Sequence, residues 1–237
     1  GLGMMFSSDS SSSGMTAARA MAGAFLEAAA RRYGGHPMLY GYDIHNECYQ
    51  RTDTCFCEDT VREYRNWLRR KYKTVDAVNK NWHVYSLTDF DEIYPPVKPG
   101  FFPDSVDWLQ FRHDRLYENI QWKIDRIRSA DRSAKITAHG MSDCFAYYSE
   151  QASDHWAAAK KADIYGLTWV PCRKGNEPWR NFAAFDLLRS ASGDTPFWHT
   201  EAQGGPLWMQ PQLKGRAASD GRVPEKEDIR LWNLILM

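Results

Sequence analysis

The chain has 237 residues, 43% of them hydrophobic, which suffices for one sizeable core and suits a single α/β barrel domain. Lysine plus arginine balances aspartate plus glutamate at 30 each, so the charge offers no basis for a nucleic-acid or membrane-surface partner. No apolar run approaches the roughly 20 residues of a membrane span.

Residues 1–14, with their serine run, read as a loop or linker-like start. The absence of a basic leader there favours a cytoplasmic origin. Five scattered cysteines (Cys48, Cys55, Cys57, Cys144 and Cys172) do not read as a disulfide framework. The Ala-rich stretch Met15 to Arg32 predicts a helix that Gly34-Gly35 ends. Met38 to Ile44 is an apolar run of strand length, and His45-Asn46-Glu47 follow directly. Helices are expected over Thr60 to Tyr72, near Val75 to Asn81, and over Trp108 to Ala130, which is periodic in apolar residues. Lys135 to Ala138 then reads as a strand ending at His139. Beyond it come a helix from Ser153 to Lys161, a strand from Ile164 to Thr168 and a helix from Phe182 to Ser190. A strand from Pro196 to Thr200 ends at Glu201, and a last helix begins near Ile229.

Strands alternating with helices predict a parallel sheet. No Gly-x-Gly-x-x-Gly follows a strand, so a dinucleotide-binding fold has no support. Polar groups sit at the strand ends: Asn46, Glu47, His139, Trp169 and Glu201. In a (β/α)8 TIM barrel that rim carries the chemistry. Only four clear strands are legible where a closed barrel needs eight. Residues 1–237 are therefore expected to be one partial (β/α)8 catalytic domain, without the first strands and the last one.

Two carboxyls about 5–5.5 Å apart define a retaining glycosidase, one attacking the anomeric carbon and the other serving as acid and then base. Glu47 and Glu201 lie on separate strand ends, where a barrel rim can bring them together. Each alone reads as a surface residue at a loop start. The pair, with Asn46 placed to contact a sugar 2-hydroxyl, carries the reading. Ten tryptophans and twelve tyrosines suit stacking on sugar faces, although core packing explains any single one of them equally well.

The residues then carry a resemblance. His36-Pro37 through Asn46-Glu47, the Cys55-Phe56-Cys57 segment with the helix to Tyr72, Val75 to Asn79 with Trp82, Asp104 to Phe111, Glu201 with Trp208 and Pro211, and Arg230-Leu231-Trp232 resemble the glycoside hydrolase family 42 β-galactosidases. The resemblance covers nearly the whole chain. It implies a retaining exo-β-galactosidase working by double displacement, with Glu47 as acid/base, Glu201 as nucleophile, Asn46 as sugar contact and Trp208 as a wall of the galactose site. It implies a galactoside or oligosaccharide substrate, no cofactor and a homo-oligomer, a trimer in that family.

Two departures qualify this. Some members hold zinc with four cysteines, but here Thr60 stands at one ligand position and no Cys precedes Cys48. No metal is therefore expected. The family's tyrosine after strand 6 is Val170 here, with Trp169 as a candidate platform. A related β-mannosidase, β-glucosidase or arabinopyranosidase, or a carbohydrate-binding fragment without turnover, thus stays open beside β-galactosidase. His139 could contact a hydroxyl, tune Glu47 or be structural.

Overall fold

The computed structural model describes residues 16–50, 55–98, 100, 102–141, 151–169, 178–202 and 226–236. Helix α1 (Thr16–Tyr33) leads to a two-residue strand β1 (Tyr42–Asp43), then α2 (Glu58–Tyr72), α3 (Val75–Trp82) and the long α4 (Pro103–Ala130). Strand β2 (Ile136–Met141), α5 (His155–Ala159), β3 (Ile164–Trp169), α6 (Pro178–Ser192), β4 (Phe197–Ala202) and α7 (Lys226–Leu236) follow. All pairings are parallel, in the order β1-β2-β3-β4. These four strands form half the complement of a closed eight-stranded barrel. Among the described residues no helix is long and apolar enough to cross a membrane.

The helices are built from two apolar seams. On α4, which starts at Pro103 where a missing N–H costs nothing, Leu116, Ile120, Ile124 and Ile127 recur at helical spacing and are all buried. They meet Leu26 and Ala30 of α1 and the outer sheet residues Tyr42, Ile136, Ala138 and Tyr165. The start of α4 uses another face, setting Trp108 and Phe111 against Tyr64, Trp67 and Leu68 of α2. Buried Asp107 anchors that second cluster by accepting from Lys71 Nζ, Tyr72 Oη and Trp82 Nε1 at 2.6–2.8 Å. A smaller seam joins Leu167 of β3 to Ala184, Phe185 and Leu188 of α6.

Since Tyr42 of β1, Ile136 and Ala138 of β2, and Tyr165 and Leu167 of β3 go outward to the helices, alternation and pairing turn Asp43, Thr137, His139, Thr168 and Glu201 to the concave face. The sheet bends there. Tyr40, ahead of β1, stacks on Trp198 of β4 with ring centroids 5.2 Å apart. A flat sheet would hold those two backbones about 14 Å apart.

The expected strand over Met38 to Ile44 is corrected to Tyr42–Asp43. The start of the run is taken by a turn, in which the Leu39 N–H donates to His36 O and the Met38 N–H to His36 Nδ1. β2 runs further than expected, because Gly140 and Met141 continue the pairing with Leu167 and Thr168. His139 is therefore inside a strand and not at its end. The serine-rich start lies outside the described residues.

Gly140 is required by packing. A Cβ there would stand 2.2 Å from the His155 ring and 2.6 Å from Tyr165 Oη, a buried pair already hydrogen-bonded at 2.6 Å. Gly140→Ala is expected to cost about 2 kcal/mol or more, since neither ring has room to move. Denaturant unfolding measures this.

Candidate active site

Both glutamates project from places where the chain carries more residues than a regular ladder needs. On β1, Tyr42 N–H donates to Lys135 O and Ile44 N–H to Thr137 O, so residue 46 is next in step to bond His139 O. Cys48 N–H makes that bond instead, at 2.8 Å. Two extra residues are therefore pushed out between Ile44 and Cys48, in the stretch that holds Asn46 and Glu47. Glu47 takes φ 53°, a left-handed conformation uncommon for a side chain this size and concentrated at functional sites.

On β4 the register shifts once. Leu167 pairs His199, but Thr168 pairs Glu201, so Thr200 is the extra residue of a bulge. Thr200 Oγ1 donates to Leu167 O at 3.0 Å and closes the bulge. Gly166 makes it fit, because a Cβ there would lie 2.6 Å from Thr200 Cγ2. Bulges re-aim side chains beside active sites. Here the result is Glu201 on the concave face, with Oε2 accepting from Thr168 Oγ1 at 3.1 Å and its side chain half exposed.

His139 links the two segments. Its Nε2 is 3.1 Å from Asn46 Oδ1 and 3.6 Å from Glu201 Oε2, and its Nδ1 is at ion-pair distance, 3.2 Å, from Asp43 Oδ2. Burial alone would push this imidazole's pKa down; Asp43 and Glu201 reverse that and hold it up at about 9. As Nε2–H is the donor, the Asn46 oxygen is the end it occupies, which leaves the Asn46 NH2 as a donor for a ligand.

Behind Asn46 and Glu47 the segment is tied to α4. Lys123, buried in the apolar stripe, donates to Ile44 O at 3.3 Å and stands 3.1 Å from His45 Nδ1. Burial, with the Lys123 charge adding to it, lowers His45 to about 3 and keeps that ring neutral, so Nδ1 accepts. Arg112 of α4 donates to Gln50 O at 3.2 Å. Cys48 is buried and its thiol is pushed up to about 12, which removes it as a nucleophile.

The expected site residues thus divide. Asn46, His139 and Glu201 come together; Glu47 sits on the projected stretch beside Asn46. His139 is buried beneath the site, not exposed on its rim. Trp169 ends β3, but its side chain lies outside the described residues, as do Trp208 and Val170. Cys55 and Cys57 lie ahead of α2, with Thr60 Oγ1 3.4 Å from Cys57 Sγ. Two thiols beside a hydroxyl do not fit a four-ligand zinc site. Among the described residues no group of three or more His, Cys, Asp or Glu could hold a metal. Thr168 and Lys123 went unnoticed in the sequence. Lys123 had a signal, since it interrupts the buried stripe between Ile120 and Ile124.

Half a (β/α)8 barrel presenting carboxylates at strand ends has the architecture of the barrel glycoside hydrolases. The family model for glycoside hydrolase family 42 β-galactosidases matches residues 8–227. β-Galactosidase BgaB of Geobacillus sp. is 28% identical over 181 residues, 73% of this chain and 26% of that protein. β-Galactosidase Bga of Halorubrum lacusprofundi is 27% identical over 225 residues, 87% of this chain and 31% of that one. The solved cold-adapted β-galactosidase of a Rahnella species matches with TM-score 0.79 at 21% identity, over 95% of this chain and 32% of that chain. The chain belongs to glycoside hydrolase family 42. It spans about a quarter to a third of the length of these relatives.

Two predictions follow from this geometry. Glycine adopts the left-handed backbone at no steric cost, so Glu47→Gly should be about 1 kcal/mol more stable than Glu47→Ala, read from denaturant midpoints. The second concerns pH. Burial holds His45 near 3 and His155 near 4, against 6.5 unfolded, so the unfolded chain gains protons there as pH falls below 6.5. His139 and His113, raised to about 9, keep protons the unfolded chain has shed as pH rises above 6.5. Their stabilisation is full below 6.5 and lost towards 9. Unfolding free energy measured from pH 4.5 to 9 should peak near 6.5.

Proposed function

We propose that this chain carries the catalytic pair of a retaining exo-β-galactosidase, with Glu201 as nucleophile and Glu47 as acid/base. The observation that carries the proposal is the convergence of Asn46 and Glu201, from the first and last of four strands, on one imidazole nitrogen. A sugar ring whose anomeric carbon faces Glu201 then has its 2-hydroxyl within reach of the Asn46 NH2, a contact that strengthens in an oxocarbenium-like transition state. The Glu201 carboxylate attacks the anomeric carbon and expels the aglycone as Glu47 protonates its oxygen. Glu47, now ionised, removes a proton from water, which displaces Glu201 and restores both groups. This requires Glu47 protonated and Glu201 ionised at the start, an arrangement that separate environments can provide. Family membership supports terminal β-galactosides as substrates.

Glu201→Ala should reduce hydrolysis of nitrophenyl β-galactoside to background, with partial recovery in azide or formate and a glycosyl azide of inverted configuration as product. Absence of rescue would count against the nucleophile assignment. A panel of nitrophenyl galactosides, mannosides, glucosides and arabinopyranosides should show the highest kcat/KM on the galactoside.

A further inference from the structure

His139 serves neither as acid/base nor as nucleophile in that reading, and at 3% exposure it does not face solvent. It nonetheless joins Asp43, Asn46 and Glu201. We propose that His139 is a positioning residue: anchored by Asp43, its Nε2–H sets the orientation of the Asn46 amide and holds the Glu201 carboxylate in place for attack. The inference rests on the reading of Glu201 as nucleophile.

The geometry gives each end of the ring a separate task. Asp43 Oδ2 beside Nδ1 and Glu201 Oε2 near Nε2 favour the imidazolium, in which both ring nitrogens carry protons, so Nε2–H is a donor near neutrality. That donor points at an oxygen of Asn46, so a rotated amide would set N–H against N–H. The same nitrogen lies 3.6 Å from Glu201 Oε2, an ion-pair distance at which its charge attracts the carboxylate. Thr168 Oγ1 donates to the same oxygen, so Oε2 is held from two sides. When the carboxylate becomes an ester in the glycosyl-enzyme its charge disappears, and Asp43 remains to balance the imidazolium.

Other titratable groups stand around the ring. His45 and Cys48 lie on the segment after β1, Lys123 stands behind them on α4, and His155 packs against Gly140 on the far side of β2. His45 and His155 are held neutral by burial, and the Cys48 thiol is held protonated. Asp43 and Glu201 are therefore the charges expected to govern His139.

The test uses the protein as it is naturally produced. His139→Gln keeps a donor and removes the charge. It should lower kcat/KM by about 10²-fold and move the acid limb of the kcat/KM profile up by about 1 unit. It should also cut the preference for a galactoside over its 2-deoxy analogue about tenfold, because an unfixed Asn46 no longer grips the 2-hydroxyl. A folded variant with the wild-type acid limb and the wild-type 2-deoxy ratio overturns the proposal. Should His139→Gln fail to fold, Asp43→Asn is expected to show the same shifts, and unchanged values there overturn it equally. Trapping with a 2-fluoro galactoside separates the two levels. A wild-type protein that is not labelled at Glu201 sinks the nucleophile reading and the proposal with it. Labelling at Glu201 with an unmoved profile in both variants sinks only the role of His139. An NMR titration of His139 in Glu201→Gln needs no turnover. A fall of about 1 unit supports the coupling, and an unmoved titration contradicts it.

Discussion

Three of the four strands reach a single buried imidazole. Asp43 from β1 lies at its Nδ1, and Asn46 behind β1 and Glu201 on β4 lie at its Nε2, while the ring itself belongs to β2. A buried histidine on the concave face of a sheet is costly unless its nitrogens are satisfied. Its Nε2 contact with Asn46 and its ion pairs with Asp43 and Glu201 bring the strand ends together, and the two carboxylates keep it charged. The curvature that allows this is visible independently in the contact between Tyr40 and Trp198.

The outer face makes that arrangement rigid. Burying Ile120, Ile124 and Ile127 of α4 against Ile136 and Tyr165 leaves no freedom for β2 to slide, since a one-residue slip would exchange His139 for Ala138 or Gly140. α4 also reaches through to the site. Lys123 sits in its apolar stripe and bonds the backbone at Ile44, so the helix that closes the core also braces the segment carrying Asn46 and Glu47. The cost of burying an ammonium there is visible in its pKa, which burial lowers to about 8.

Much of this was legible beforehand. Ala-rich α1, the stripe of α4 and the apolar runs of β3 and β4 are local patterns, and local patterns survive into the fold. The short β1 was overestimated because apolar content at Met38 and Leu39 resembles a strand, while the His36 turn that consumes them leaves little trace in composition. β2 was cut short because Gly140 looks like a stop; only the His155 and Tyr165 rings, brought together from elsewhere in the chain, show that it is a packing site.

The sequence by itself determined the order of elements, the parallel sheet, the pairing of Glu47 with Glu201 as candidates and, through the spacing of its motifs, the family. These follow from periodicity and from residue types at short range. Only the tertiary structure decided how the glutamates are aimed. Two extra residues between Ile44 and Cys48, and one at Thr200, are defined solely by hydrogen bonds to a neighbouring strand, and no count along one chain reveals them. The same holds for His139. Its sequence neighbours mark it as the end of a strand, whereas its partners, 62 to 96 positions away, place it under the centre of the site.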